Sequence, residues 1–477
     1  MSTRIVVVGG GTAGARLAQR LPVTLLGEEP HTPYNRVLLA DVLAGRYAPE
    51  VIALPGTREP ARLGVRAVRI DRAARTVECA DGSLVGYDRL VLATGSNPVL
   101  PPLRGLRGPG GAEPPEGVHA FRTLDDCLAL RDRVRPGVRA VVVGGGLLGV
   151  SAARALAALG AEVVLTQQGE RLMERQLDAT ASHLLREHVE SLGVEVHTEC
   201  RVSGLRQRDG EVTAVELADG FVLDARVVVL ACGVRPRVAL AREAGLAVAT
   251  GIVVDDELRT SDPYIHAIGD CAEHGGRVYG LAGPALDQAD ALTAVLLAET
   301  AAPAPRGPSS RGAERPSATG VGAGATPAET VPATGVGAGA TPAETVPANG
   351  VGVDAAPTET VPATGVGAGA APTETVPATG YTGTRALTRL TLGGARPLDL
   401  AAFGDTTALP GDHVVQLTDA TRRAHRKVVV RGDRLVGGVL LGDLAAVGTL
   451  ARAWEGDEAL PDEAPLLHLL THDGGSS

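Results

Sequence analysis

Two copies of one motif constrain this chain more than anything else in it. Residues Arg4 to Gly14 read RIVVVGGGTAG, and Arg139 to Gly149 read RAVVVGGGLLG. Each copy is a β-branched run ending in spaced glycines, Gly9-x-Gly11-x-x-Gly14 and Gly144-x-Gly146-x-x-Gly149, with alanine-rich helical sequence behind it. Such glycines permit a tight turn out of a strand and let backbone N–H groups approach a pyrophosphate at the positive end of the next helix. One such pattern among 62 glycines would arise by chance. Two, each between a strand and a helix, predict two dinucleotide sites.

The first unit continues as a helix over Thr12 to Arg20 and a strand over Val23 to Leu26 that ends in Gly27-Glu28-Glu29. An acid at that strand tip accepts hydrogen bonds from both hydroxyls of an adenosine ribose, and Glu28 is the candidate. A solvated surface carboxylate is the plain alternative. The unit closes on the apolar run through Leu92 and the small residues Ala93-Thr94-Gly95, which let a cofactor come close. The second unit has helices over Leu124 to Arg133, from the glycine loop to Leu159, and over Leu177 to Leu192, with a strand over Glu162 to Thr166. It closes on Val227 to Leu230 and Ala231-Cys232-Gly233, repeating the first unit's ending. After a buried strand, Gly269 and Asp270 follow, where a carboxylate can bind a polyol hydroxyl.

A length of 477 residues suggests about three domains. Lys+Arg 45 against Asp+Glu 55 leaves a net charge of -10, which argues against a nucleic-acid surface and suits a soluble enzyme. Lys427 is the sole lysine, so lysine chemistry is excluded almost everywhere. The cysteines Cys79, Cys127, Cys200, Cys232 and Cys271 form no CxxC and no zinc spacing, which fits a reducing cytoplasm. No secretory signal is expected from the opening residues, and the uncharged stretch at the second loop is too short for a bilayer. A cytoplasmic protein without nucleic-acid or membrane partners is expected. His183 and His188 do not make an HExxH pattern, and no GxSxG accompanies any serine, so no metal site and no side-chain nucleophile is expected.

From Pro303 the composition changes. Fifteen-residue units close to ATGVGAGATPAETVP begin at Ala318, Ala333, Ala348 and Ala363, with a truncated fifth at Ala378. They lack the large apolar residues that would offset ordering entropy, which predicts a disordered linker. Beyond it, ALTRLTL, HVVQL, HRKVVV and RLVGGVLLGD read as strands, the last two as a hairpin through Arg431-Gly432-Asp433-Arg434, with a helix over Leu444 to Trp454.

The stretches GEEPHTPYNRVLL, YDRLVLATGSNPVLPP, VVVGGGLLG, RLMERQLD, LACGVRPR, GIVVDDELRTSDPYIHAIGDCA and VGGVLLGD, in this order, resemble the two-dinucleotide flavoprotein reductases of the pyridine nucleotide-disulfide type. Within them they are most similar to the FAD-containing part of the assimilatory NAD(P)H nitrite reductase large subunit and to nitrate reductase electron-transfer subunits. The resemblance covers about residues 4–300 and 381–445. It implies an α/β fold with two Rossmann-like, glutathione-reductase-like domains, plus a small α+β C-terminal domain after the disordered repeat linker. The expected division is an FAD domain over 1–117 and 241–302, an NAD(P)H domain over 118–240, the linker over 303–380, the C-terminal domain over 381–470 and a tail over 471–477.

The resemblance gives Gly9, Gly11, Gly14 and Glu28 to FAD, sets Arg36, Thr94 and Gly95 near the flavin nucleotide, and sets Gly269 and Asp270 at the ribityl chain. It gives Gly144, Gly146, Gly149, Gln167 and Gly233 to NAD(P)H. It implies hydride transfer from NAD(P)H to the flavin, with the cofactor carrying the hard chemistry, and electron delivery to a separate iron–sulfur, molybdenum or sirohaem protein in nitrate or nitrite assimilation. A homodimer is left open. A ferredoxin or rubredoxin reductase is the first alternative. Asn35 to Arg46 holds no cysteine, so no thiol relay beside the flavin is expected. Two departures fall in the second unit: Val150-Ser151 stand where relatives often have Glu, and Gln167 stands where an acid commonly ends the strand. The latter loss removes an obstacle to the NADPH phosphate, with Arg171 and Arg175 as nearby candidates and solvated surface arginines as the plainer alternative. The two departures also admit a third possibility, a flavin-binding redox sensor whose nicotinamide site has decayed.

Overall fold

The run Ile5–Val8 is buried along its whole length, as a parallel strand covered on both faces must be. The computed structural model describes residues 3–107, 113–301, 380–394, 396–457, 459–460 and 467–471. In it Ile5–Val8 is central in a four-stranded parallel sheet ordered Ile265–Ala267, Arg89–Leu92, Ile5–Val8, Thr24–Leu26. The second glycine strand, Arg139–Val143, is central in a five-stranded parallel sheet ordered Val194–His197, Glu162–Thr166, Arg139–Val143, Val227–Leu230, Val118–His119. In both sheets the glycine strand lies between its unit's closing strand and its second strand. Ligands of such sheets gather beyond the carboxyl ends of the strands, where both glycine loops emerge.

Helix Thr12–Arg20 and strand Glu162–Thr166 have the limits expected from sequence. The second strand starts one residue late, at Thr24. The long helix is Ala179–Ser191, because Asp178 caps it by accepting the Ala181 N–H at 2.9 Å. The chain crosses between the two sheets through Ser96–Pro98 and returns through Val234–Pro236, and these two segments pair antiparallel. Each starts at a glycine in the left-handed region, Gly95 at φ +72° and Gly233 at φ +96°, which lets the chain turn sharply off its closing strand.

The C-terminal strands form an antiparallel sheet ordered Leu387–Leu392, Leu398–Gly404, Arg434–Leu441, Ala424–Arg431, His413–Asp419. Side chains alternate between its faces. Leu398, Leu400 and Ala402 join the core that includes helices Leu39–Leu43 and Leu147–Ala158, whereas Ala401 and Phe403 pack under helix Val447–Glu455. Strand Leu398–Gly404 is absent from the sequence reading, and the helix begins at Val447 rather than Leu444. Trp454 packs on Phe403 with ring centroids 5.2 Å apart, a core role. The repeats and the expected linker up to Thr379 lie outside the described residues, as does the tail beyond Thr471. No helix among the described residues is long and apolar enough to cross a membrane.

Candidate functional site

The two glycine loops are the same object built twice. A Cβ on Gly9 would stand 2.1 Å from the Ala93 carbonyl oxygen, and one on Gly144 would stand 2.5 Å from that of Ala231. The third glycines close the turn even more tightly: a Cβ on Gly14 would lie 2.0 Å from the Gly9 carbonyl oxygen, and one on Gly149 would lie 1.8 Å from that of Gly144. The middle glycines differ, because, their chain neighbours aside, no described atom lies within 4 Å of a Cβ on Gly11 or Gly146. First and third glycines therefore answer to the protein's own packing, and the middle ones to a space left open. Gly11 and Gly146 are also the N-caps of helices Thr12–Arg20 and Leu147–Ala158, with no side chain capping either first turn. Free amides at a helix start facing an open cradle fit a pyrophosphate.

Glu28, at the tip of the first unit's second strand, is ion-paired with Arg237. Arg237 follows directly on the returning segment Val234–Pro236. It also donates Nε–H to Asn97 Oδ1 at 2.7 Å, and its carbonyl accepts the Thr94 hydroxyl at 2.8 Å. The expected ribose acid and Thr94 are thus joined through one arginine at the crossing between the sheets. Glu29 is turned the other way. It accepts the Tyr34 hydroxyl at 2.6 Å and pairs with Arg36, whose other nitrogen donates to the Arg122 carbonyl at 3.0 Å. Burial, with Glu29 close by, pushes the Tyr34 hydroxyl well above the usual tyrosine range, so it stays a donor. Arg36 is therefore held in a protein network rather than presented alone.

Asp270 sits in a short 3-10 turn over Gly269–Cys271 after strand Ile265–Ala267. Its Oδ2 accepts the Ser96 hydroxyl at 2.8 Å and Arg122 Nη2 at 2.9 Å. Gly269 approaches Ala13 of the first glycine helix, 3.1 Å from its Cβ position, and donates its N–H to buried Gln288 at 2.7 Å. Gly269, Asp270 and the first loop are consequently brought to one place. Ser96, Arg122, Arg237 and Gln288 were missed from sequence. The GVRPR stretch around Arg237 was a usable signal, whereas nothing local distinguishes Arg122.

In the second unit Gln167 Oε1 accepts the Gly145 N–H of the glycine loop at 2.8 Å. Ser151 is buried and returns its hydroxyl to the Leu147 carbonyl at 2.8 Å, a contact within its own helix. Cys232 lies beside the loop with its thiol on the Val143 carbonyl. Burial pushes the thiols of Cys127, Cys200, Cys232 and Cys271 upward, that of Cys127 to about 11, which is the opposite of a poised nucleophile. Among the described residues no group of three or more His, Cys, Asp or Glu could hold a metal ion.

Comparison with known proteins places this architecture. The pyridine nucleotide-disulphide oxidoreductase family matches residues 3–289. The chain is 36% identical over 306 residues to the assimilatory nitrate reductase electron transfer subunit of Bacillus subtilis strain 168, covering 61% of this chain and 38% of that one. It spans only 28 to 42% of the length of the nitrate and nitrite reductase relatives it matches. It is 33% identical to the rubredoxin-NAD(+) reductase of Pseudomonas putida, covering 56% of this chain and 71% of that one. The fold superposes on the covalent putidaredoxin reductase-putidaredoxin complex with a TM-score of 0.72 at 21% identity, covering 100% of both chains. The chain belongs to the pyridine nucleotide-disulphide oxidoreductase family.

Proposed function

We propose that the chain is the reductase component of a cytoplasmic electron-transfer pair, taking electrons from NAD(P)H through FAD to a separate iron–sulfur, molybdenum or sirohaem protein of nitrate or nitrite assimilation. The observation that carries this reading is the pair of equivalent open cradles, one beside an acid and one beside an amide. Residues 1–117 and 241–302 hold FAD, and residues 118–240 hold NAD(P)H. Gly9, Gly11 and Gly14 receive the FAD pyrophosphate, Glu28 the ribose, and Asp270, oriented by Ser96 and Arg122, the ribityl hydroxyls. Thr94 and Gly95 line the approach. Gly144, Gly146 and Gly149 receive the nicotinamide dinucleotide, with Gln167 at its ribose and Gly233 at the turn beyond.

When bound, FAD supplies the step from two-electron donor to redox-protein acceptor. The protein's part is to bind, orient and tune, and no side chain is needed as a base or nucleophile. The acceptor is a separate protein because Asn35 to Arg46 offers no cysteine and the four thiols named above are driven toward their neutral form. The nitrate role follows the similarity to the Bacillus electron transfer subunit. The second reading, a ferredoxin or rubredoxin reductase, is favoured by the larger share of such relatives that the chain covers, 71% of the Pseudomonas protein.

The test is an anaerobic titration of the purified yellow protein with NADH and with NADPH, followed by addition of oxidised acceptors. Bleaching, then re-oxidation by an assimilatory nitrate or nitrite reductase faster than by ferredoxin or rubredoxin, is the expected result. The reverse order selects the second reading. No bleaching by either nucleotide sinks both.

A further inference from the structure

The two strand tips that flank the cradles carry opposite chemistry. In the first unit the residue is Glu28, a carboxylate that only accepts hydrogen bonds. In the second it is Gln167, and a backbone N–H can only donate, so the contact with Gly145 at 2.8 Å uses the amide oxygen. What Gln167 leaves over is its NH2 group, two donors that find no acceptor among the described residues. One of the two lone pairs of the amide oxygen is committed to the loop.

The segment that follows folds back over the same loop. Met173 donates its N–H to the Gly145 carbonyl at 2.9 Å, and a Cβ on Gly145 would meet Leu172 Cδ2 at 2.5 Å. Arg171 is carried with them to the rim of the cradle. Its Nε is buried without a hydrogen-bond partner, and its guanidinium joins no ion pair among the described residues, although Glu170, Glu174 and Glu199 stand exposed on the same loops. Glu174 is turned onto Gly169, its carboxylate 2.4 Å from where a Cβ there would be. The rim thus offers a donor amide and an arginine without a carboxylate partner, where an NADH site would offer an acid.

We propose that the second cradle selects NADPH over NADH, with Gln167 and Arg171 receiving the 2′-phosphate. This rests on the reading of that cradle as the nicotinamide site and adds its substrate. An arginine and an amide donor suit a dianionic phosphate, whereas the 2′-hydroxyl of NADH finds no carboxylate there to accept from it and no use for the positive charge.

The test is calorimetric binding of NADP+ and of NAD+ to the oxidised, flavin-loaded full chain, which reads affinity without turnover. The expected result is NADP+ tighter by roughly tenfold or more, the worth of one charge-assisted hydrogen bond, with the advantage shrinking as salt is raised. Arg171→Ala should lower NADP+ affinity by about tenfold and NAD+ affinity much less. Gln167→Glu should reverse the preference. Equal affinities, or tighter NAD+, overturn the inference and leave the nicotinamide site standing. An Arg171→Ala variant that weakens both nucleotides alike removes Arg171 from the phosphate and overturns it too. If neither nucleotide binds, the nicotinamide reading and the inference fall together.

Discussion

Glycine 149 and its counterpart Gly14 have no room for one more carbon, since the intruding Cβ would meet a carbonyl oxygen of the protein itself at 1.8 and 2.0 Å. Gly14→Ala should therefore distort the first loop and yield colourless protein, while Gly149→Ala should stay yellow and lose nucleotide binding. Each change should cost about 1 to 3 kcal/mol of stability, read from urea melts. Glu28 makes a different prediction. Its pair with Arg237 is close to half exposed on both sides, at 46% and 41%, so it adds little to folding. Glu28→Ala should leave the apoprotein melt almost unchanged and weaken FAD by about tenfold, as loss of a charged hydrogen bond does. The glycines, Glu28, Gln167 and Asp270 were legible because each sits at a fixed offset from a strand end. Arg122 and Arg237 were not, because they reach Asp270 and Glu28 across 148 and 209 residues of sequence. The direction of the Gln167 amide was illegible for a related reason: it is set by a loop N–H 22 residues away.

Strand Leu398–Gly404 shows where periodicity fails. Its LDLAAFG sequence is buried on both faces near the middle of a sheet, so apolar residues run together and no alternation marks it. The elements around it dock through charges as well. Asp178 caps helix Ala179–Ser191 and reaches the C-terminal sheet, where His425 Nε2 lies 3.1 Å and Lys427 Nζ 3.5 Å away. Burial alone would raise that carboxyl, but hydrogen bonds from His425 and the Ala181 N–H, with the charges of His425 and Lys427, outweigh it and hold it far below the usual range. Its contribution is accordingly complete above about pH 4, the unfolded value, and lost as pH falls below it. Asp178→Asn keeps a cap and loses the charge. It should melt earlier than the wild type at pH 7, and the gap should narrow in urea melts at pH 3. On helix Leu147–Ala158, Arg154 is only 4% exposed and pairs with Asp41 of helix Leu39–Leu43 at 2.9 Å, leaving Nε and Nη1 without partners. Asp41→Ala strands that guanidinium and should cost about 3 to 5 kcal/mol, whereas Arg154→Met removes it and should cost far less. Equal losses in the two variants would refute this account of the pair.

The molecule as a whole is two parallel sheets with equivalent cradles, tied by the antiparallel segments Ser96–Pro98 and Val234–Pro236 and backed by a C-terminal sheet that packs on helices of both. Arg237 follows the returning segment and Arg122 follows strand Val118–His119 of the second sheet, one on Glu28 and one on Asp270, so the expected FAD contacts are framed by residues from outside the first sheet. The division of labour between the cradles is the claim on which the rest depends. Its most direct measurement is anaerobic titration of wild type and Gly149→Ala with NADPH, following the flavin absorption. The wild type should bleach with a stoichiometric amount of NADPH, and the variant should keep its flavin and remain yellow. A variant that bleaches as the wild type does, or a wild-type chain that purifies without flavin under conditions that retain it in related reductases, would contradict the assignment.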